Sequence, residues 1–211
     1  MQGFEELKEA IMKGDEGETA EIVDEMLESG EDPRRIIDEG IITSMRTVGE
    51  KFDSGEYFIP DMLVSADASQ AALERLEPLL DAEDAEVGKK AVFATVKGDQ
   101  HDIGKNLALM VFRGAGYRVK DLGTDTPAEE VVEAVKEFDA DVVGLSALLT
   151  TTMEAQREVI EALEDNGLRD KVLVAVGGAP LTEEFAREIG ADVYGDSPFK
   201  AVNKLDDLIE K

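Results

Sequence analysis

Thr95-Val96-Lys97-Gly98-Asp99-Gln100-His101-Asp102-Ile103-Gly104-Lys105-Asn106 follows an apolar, strand-type run and opens a helix-type one. It contains the one histidine of the chain, His101. A carboxylate, Asp99, stands two positions before it, and glycines lie on either side at Gly98 and Gly104. A metal-bound imidazole donates the proton of its other nitrogen to such a carboxylate, which fixes the tautomer and raises the basicity of the ligand. A lone Asp-x-His in a loop is more often an ordinary hydrogen-bonded pair. The choice between the two depends on where the rest of the chain places this loop.

From here to the C-terminus, strand-like and helix-like runs alternate. The strands are expected at Ala91–Val96, Tyr117–Asp121, Asp141–Ser146, Val172–Val176 and Asp192–Tyr194, with helices near 104–114, 127–138, 152–165, 181–189 and 198–210. Successive βα units imply a doubly wound parallel sheet, and five of them fit the flavodoxin-like order 2-1-3-4-5, a Rossmann-type α/β fold. Its crevice opens between the C-terminal ends of strands 1 and 3.

Before residue 80 the rhythm is helical throughout. Phe4, Leu7, Ala10 and Ile11 mark one helix, and Ala20, Ile22, Val23, Met26 and Leu27 a second that ends at Gly30. Ile36, Ile37, Ile41, Ile42, Met45 and Val48 mark a third; Met62, Leu63, Ala66, Ala72, Leu73 and Leu76 mark a fourth. Short Gly- or Pro-marked turns between them suggest a small antiparallel four-helix bundle. Residues 81–89 are acidic, small and aperiodic, as a linker is. The expected organisation is a helical cap over 1–82, a linker over 83–89 and an α/β domain over 90–211.

Composition narrows the function. The chain has no cysteine, which excludes disulfides and zinc-thiolate sites. Its N-terminus is acidic and amphipathic, and no apolar run approaches membrane-spanning length, so a soluble cytoplasmic protein is expected. Acidic residues outnumber basic ones 49 to 22, for a net charge of −27. Such a surface repels nucleic acid and anionic membranes. It also suits a saline cytoplasm, where salt screens the self-repulsion.

The loops after strands 1, 3 and 4 carry the candidate site: Asp99, His101 and Gly104; then Ser146, Leu148 and Thr150; then Gly177 and Gly178. Each has a plain alternative. Ser146 could cap a helix, Gly177-Gly178 could make a tight turn, and Asp99 could be a turn residue. Their conjunction at one sheet edge beside the single histidine favours a ligand site. The strand 1 loop lacks the Gly-x-Gly-x-x-Gly of a dinucleotide site. Its carboxylates would repel a flavin phosphate, and Ser146 stands where a phospho-acceptor receiver domain needs an aspartate. A metal-centred cofactor held by the histidine remains.

Asp-x-His-x-x-Gly, then Ser-x-Leu, then Gly-Gly at these separations resembles the cobalamin-binding fold shared by methionine synthase, corrinoid methyltransfer proteins and cobalamin-dependent mutases. The run Thr95 to Asn106 is similar to the methyltransfer branch. So are Gly40–Met45, Val48-Gly49-Glu50-Lys51-Phe52 and Gly55-Glu56-Tyr57-Phe58-Ile59-Pro60, which resemble its helical cap. The resemblance implies a cobalamin or related corrinoid cofactor, in methylcobalamin and Co(I) forms. His101 would be the lower axial cobalt ligand, with Asp99 and Ser146 as a relay behind it. Gly98, Gln100, Asp102, Ile103, Gly104, Ser146, Leu148, Thr150, Gly177 and Gly178 would line the cofactor and its nucleotide tail. Phe52, Ile59 and Met62 would cover the methyl-bearing face; ordinary bundle core is their plain alternative.

The resemblance further implies a non-catalytic methyl carrier within a multi-component methyltransferase. Its partners would be a substrate-specific corrinoid methyltransferase, a second methyltransferase acting on coenzyme M or tetrahydrofolate, and a reductive activase. Length inclines the donor towards methylamines, as in methanogenesis. The alternatives are a cobalamin-dependent sensor, for which a basic DNA-binding segment is missing, and a mutase small subunit, which would lack this cap.

Overall fold

The computed structural model describes residues 2–79 and 89–209. Residues 83–88 of the expected linker lie outside the described residues. The described residues divide into two compact units, 2–79 with 110–117, and 89–109 with 118–209.

The first unit is helical. Helix α1 is Gln2–Lys13 and α2 is Glu16–Glu28, where the Asp15 side chain caps the start by accepting from the Glu18 N–H at 2.9 Å. Asp32 caps α3 (Pro33–Arg35) in the same manner, with Pro33 in the first turn where its missing N–H costs nothing. The helix continues through a π-helical stretch, Ile36–Ile42, into α4 (Thr43–Asp53), and α5 is Ile59–Leu76.

The π-helical stretch departs from the regular third helix expected from the spacing. Ile36, Ile41, Met45 and Val48 are all buried, and the first interval is five residues, one more than an α-turn carries on a single face. A wider turn absorbs that residue and keeps both isoleucines on the core side. The hydroxyls of Thr43 and Ser44 donate to the carbonyls of Asp38 and Gly40 at 3.0 and 2.6 Å. Leu7, Ile11, Val23, Met45, Met62 and Leu76 form much of the unit's core.

The second unit is the doubly wound sheet, with order β2-β1-β3-β4-β5, every neighbouring pair parallel. The strands are β1 (Lys90–Thr95), β2 (Arg118–Asp121), β3 (Val142–Ser146), β4 (Leu173–Gly177) and β5 (Val193–Gly195). The helices that follow them are α6 (Ile103–Gly114), α7 (Ala128–Phe138), α8 (Glu154–Asp165), α9 (Glu183–Glu188) and α10 (Pro198–Ile209). Helix α6 crosses the division between the units at residue 110. Strands β1, β3 and β4 read as unbroken apolar runs because helices cover both faces of such a sheet. Gly144 sits where a Cβ would fall 2.3 Å from the Phe93 ring, so the aromatic side chain fills the space that glycine leaves.

Register positions the site. Thr95, Ser146, Gly177 and Gly195 stand side by side across four strands at their C-terminal ends. The three loops singled out in the sequence therefore leave the sheet from one line.

Candidate functional site

Asp99 is the hub of that edge. It is fully buried, yet its carboxylate meets five donors. Oδ1 accepts from the His101 backbone N–H at 3.0 Å and lies 2.7 Å from His101 Nδ1. Oδ2 accepts from the Thr152 hydroxyl at 2.6 Å, the Leu148 N–H at 2.7 Å and the Leu149 N–H at 3.3 Å. Burial pushes this carboxyl's pKa up, but the hydrogen bonds from Thr152, His101 and Leu148 together outweigh it. The carboxyl is held well below the usual range, so Asp99 is ionised.

An ionised carboxylate only accepts, so the short contact assigns the ring proton to His101 Nδ1 and leaves the lone pair on Nε2. The His101 side chain is 50 % exposed while that of Asp99 is not exposed at all, so the ring is open on the part that does not face the carboxylate. The Thr95 hydroxyl fixes the loop from below by donating to the His101 carbonyl at 3.0 Å.

Three apolar side chains stand in the open at this edge. Ile103 is 82 %, Leu148 42 % and Leu149 41 % exposed. Exposed apolar groups on the loops beside a basic nitrogen suit a broad, partly apolar ligand that brings its own metal. Among the described residues no group of three or more His, Asp or Glu side chains could hold a bare ion. The donor set offers one imidazole nitrogen, which completes an axial position on a macrocycle-held metal and is too little for a free cation. The residues fit a corrinoid.

The structure brings only part of the expected relay together. Among the described residues Ser146 makes no hydrogen bond to Asp99; Thr152 supplies the hydroxyl instead. Ser146 is the last residue of β3, and the chain must pass Ala147 and turn at Leu149–Thr152 before a hydroxyl reaches Oδ2. Sequence reasoning passed over Thr152 within the run Thr150-Thr151-Thr152; the visible signal was a third hydroxyl residue two positions beyond Thr150. Ser146 does not cap a helix either, since α8 begins at Glu154.

The remaining site residues fall into distinct environments. Gln100, Asp102, Gly104 and Thr150 are exposed, and Gly98 has φ +83°. Asp102 supports the start of α6, accepting the Asn106 N–H at 2.7 Å on its carbonyl. A Cβ on Gly104 would meet no atom within 4 Å, so nothing in the chain's own packing calls for glycine there. Gly178 is the opposite case. At φ +140° a Cβ would lie 1.8 Å from the Ala147 carbonyl oxygen, so its glycine serves the close passage of two loops. Lys105, 2 % exposed, reaches both oxygens of Asp121 at 2.7 and 2.8 Å and ties the first turn of α6 to the end of β2. In the helical unit Ile59 is 49 % exposed and Phe52 half-buried. Met62, 1 % exposed, belongs to that unit's core, the plain alternative weighed for it.

Comparison with known proteins bears on this arrangement. A B12 binding domain family matches residues 89–203, and a second, also described as a B12 binding domain, matches residues 4–77. A corrinoid protein of Desulfitobacterium hafniense (strain Y51) is 41% identical over 100% of this chain and 99% of its own length. The dimethylamine corrinoid protein of Methanosarcina barkeri is 40% identical over 98% of this chain and 97% of its own. The solved methanol:cobalamin methyltransferase complex MtaBC from Methanosarcina barkeri superposes with a TM-score of 0.85 at 33% identity, covering 99% of this chain and 80% of that one. Both halves match along their whole lengths, in the same order, and the site's geometry suits the ligand those names share. The chain belongs to the B12-binding corrinoid proteins of methylamine and methanol methyltransferase systems, and its cofactor is a corrinoid.

Proposed function

We propose that this protein carries a methyl group between a substrate-specific corrinoid methyltransferase and a second methyltransferase, with His101 Nε2 as the lower axial ligand of the cofactor's cobalt. The observation that carries this reading is a half-exposed imidazole anchored at Nδ1 to a buried, ionised Asp99, on a sheet edge whose loops also expose Ile103, Leu148 and Leu149. When bound, the corrinoid supplies a cobalt centre that can accept and surrender a methyl group.

The chain's own residues do the rest. Asp99 holds the Nδ1 proton, so the lone pair of the neutral ring lies on Nε2, and the negative charge raises the ring's donor strength. Thr152 and the Leu148 and Leu149 N–H groups hold that carboxylate in place from its other oxygen. Ile103, Leu148 and Leu149, exposed on the same loops, offer apolar surface to a bound corrinoid. Gly104, with no Cβ, lets the cofactor approach the first turn of α6. Ser146 and Gly177, next to each other in the ladder, lie where the nucleotide tail would run.

The relatives named for dimethylamine support a methylamine-type donor over methanol. Coenzyme M or a folate would be the acceptor, and a reductive activase would restore the reduced cofactor.

The test is reconstitution with corrinoid followed by electron paramagnetic resonance of the Co(II) form. Nitrogen splitting should be present in the wild type and lost in His101→Ala. Methyl uptake should follow when a methylamine methyltransferase and its substrate are added to the reduced protein. An unchanged splitting in His101→Ala refutes the ligand assignment, and a reduced, loaded protein that takes no methyl group from any such enzyme refutes the carrier reading.

A further inference from the structure

The loop after β2 grips the His101 loop through one strained residue. Asp125 has φ +55°, a left-handed conformation. The one other non-glycine residue with positive φ among those described, Asp139, ends helix α7, where that conformation is an ordinary helix stop. Asp125 ends no helix. Its carboxylate accepts the Gly98 N–H at 2.6 Å, and its own N–H donates to the Asp99 carbonyl at 2.8 Å. The adjoining residue Thr126 forms a parallel bridge with Val96 and donates its N–H to the Thr95 carbonyl at 3.1 Å.

Glycine would adopt this backbone without the steric cost an L side chain carries there. What aspartate adds over glycine at this position is its carboxylate, which here holds the peptide N–H directly before Asp99. Gly98 has φ +83° itself, so the loop has little intrinsic preference for this path and needs an external grip.

We propose that Asp125 is a positioning residue for His101. By pinning Gly98 N–H and the Asp99 carbonyl, it fixes the backbone that carries the Asp99–His101 pair and thereby sets how Nε2 is presented to the corrinoid metal. The inference rests on the assignment of His101 as the axial ligand.

Asp125→Asn and Asp125→Gly separate this role from loop closure. Asparagine tolerates the left-handed backbone and keeps an acceptor oxygen; glycine relieves the strain and removes the acceptor. In the protein without corrinoid, the Gly98 amide should exchange with solvent about tenfold faster or more in Asp125→Gly, the effect of losing one hydrogen bond, and near the wild-type rate in Asp125→Asn. In the loaded Co(II) protein, the nitrogen splitting should weaken or broaden in Asp125→Gly and persist in Asp125→Asn. Wild-type exchange in Asp125→Gly would overturn the proposal. So would faster exchange accompanied by an unaltered splitting, because the grip would then not set the ligand. If wild type and His101→Ala gave the same spectrum, the ligand reading itself would have failed and the proposal with it; the His101→Ala control tells that case from the other two.

Discussion

Asp99→Asn changes one atom of the chain and reverses the logic of the site. Both side chains have the same shape, so no cavity forms, but an amide can accept at only one of the two positions. With its NH2 at the Oδ1 position, it faces the His101 backbone N–H and Nδ1. With its NH2 at the Oδ2 position, it faces the Leu148 and Leu149 N–H groups and the Thr152 hydroxyl. Either orientation removes at least two bonds to a charged acceptor, each worth about 1.5–3 kcal/mol, while the relief of a buried charge returns part of the loss. The net cost should be about 2–4 kcal/mol, a fall in melting temperature of roughly 5–15 °C for a chain of this size.

The two orientations also differ in chemistry. In the first, the amide donates to Nδ1 and drives the ring proton to Nε2, which abolishes the lone pair the metal needs. Thermal unfolding followed by circular dichroism, without and with corrinoid, measures the stability, and Co(II) paramagnetic resonance measures the ligation. Asp99→Asn with wild-type stability and wild-type nitrogen splitting would refute the claim that this carboxylate organises the edge.

Thr152→Val keeps the volume and removes one donor to Asp99. Because the folded-state carboxyl lies below its ordinary value, Asp99 contributes stability above about pH 4, and that contribution is lost as pH falls through the folded-state value. With one donor fewer the folded-state value rises, so acid unfolding of Thr152→Val should set in at higher pH; an unmoved acid transition would count against the Thr152 bond. Ser146→Ala should leave that transition where it is, since Ser146 does not touch Asp99, and a shift equal to that of Thr152→Val would restore Ser146 to the relay. Gly178→Ala drives a methyl group into the Ala147 carbonyl and should cost about 3 kcal/mol or more, or yield insoluble protein. A melting temperature within a degree of wild type would show that the two loops can separate freely.

The parallel sheet and its order were legible in the chain because apolar runs alternating with amphipathic helices leave few topologies once crossovers must be right-handed. The Asp99–His101 pair was legible too, since residues two apart on a tight turn are within reach of each other. The third helix was read as regular because its isoleucines recur at nearly helical intervals, and only the packing of Ile36 and Ile41 on one face exposes the wider turn.

The amino-acid order by itself determined the architecture, the edge of the sheet that carries the candidate site and the partner of His101 on its own loop. These follow from periodicity and from contacts short in sequence. Only the tertiary structure decided that Thr152 and not Ser146 completes the support of Asp99, 53 residues away, and that Asp125 holds the loop from the neighbouring strand's side. Such partners depend on where separate loops return after leaving the sheet, and no local spacing encodes that.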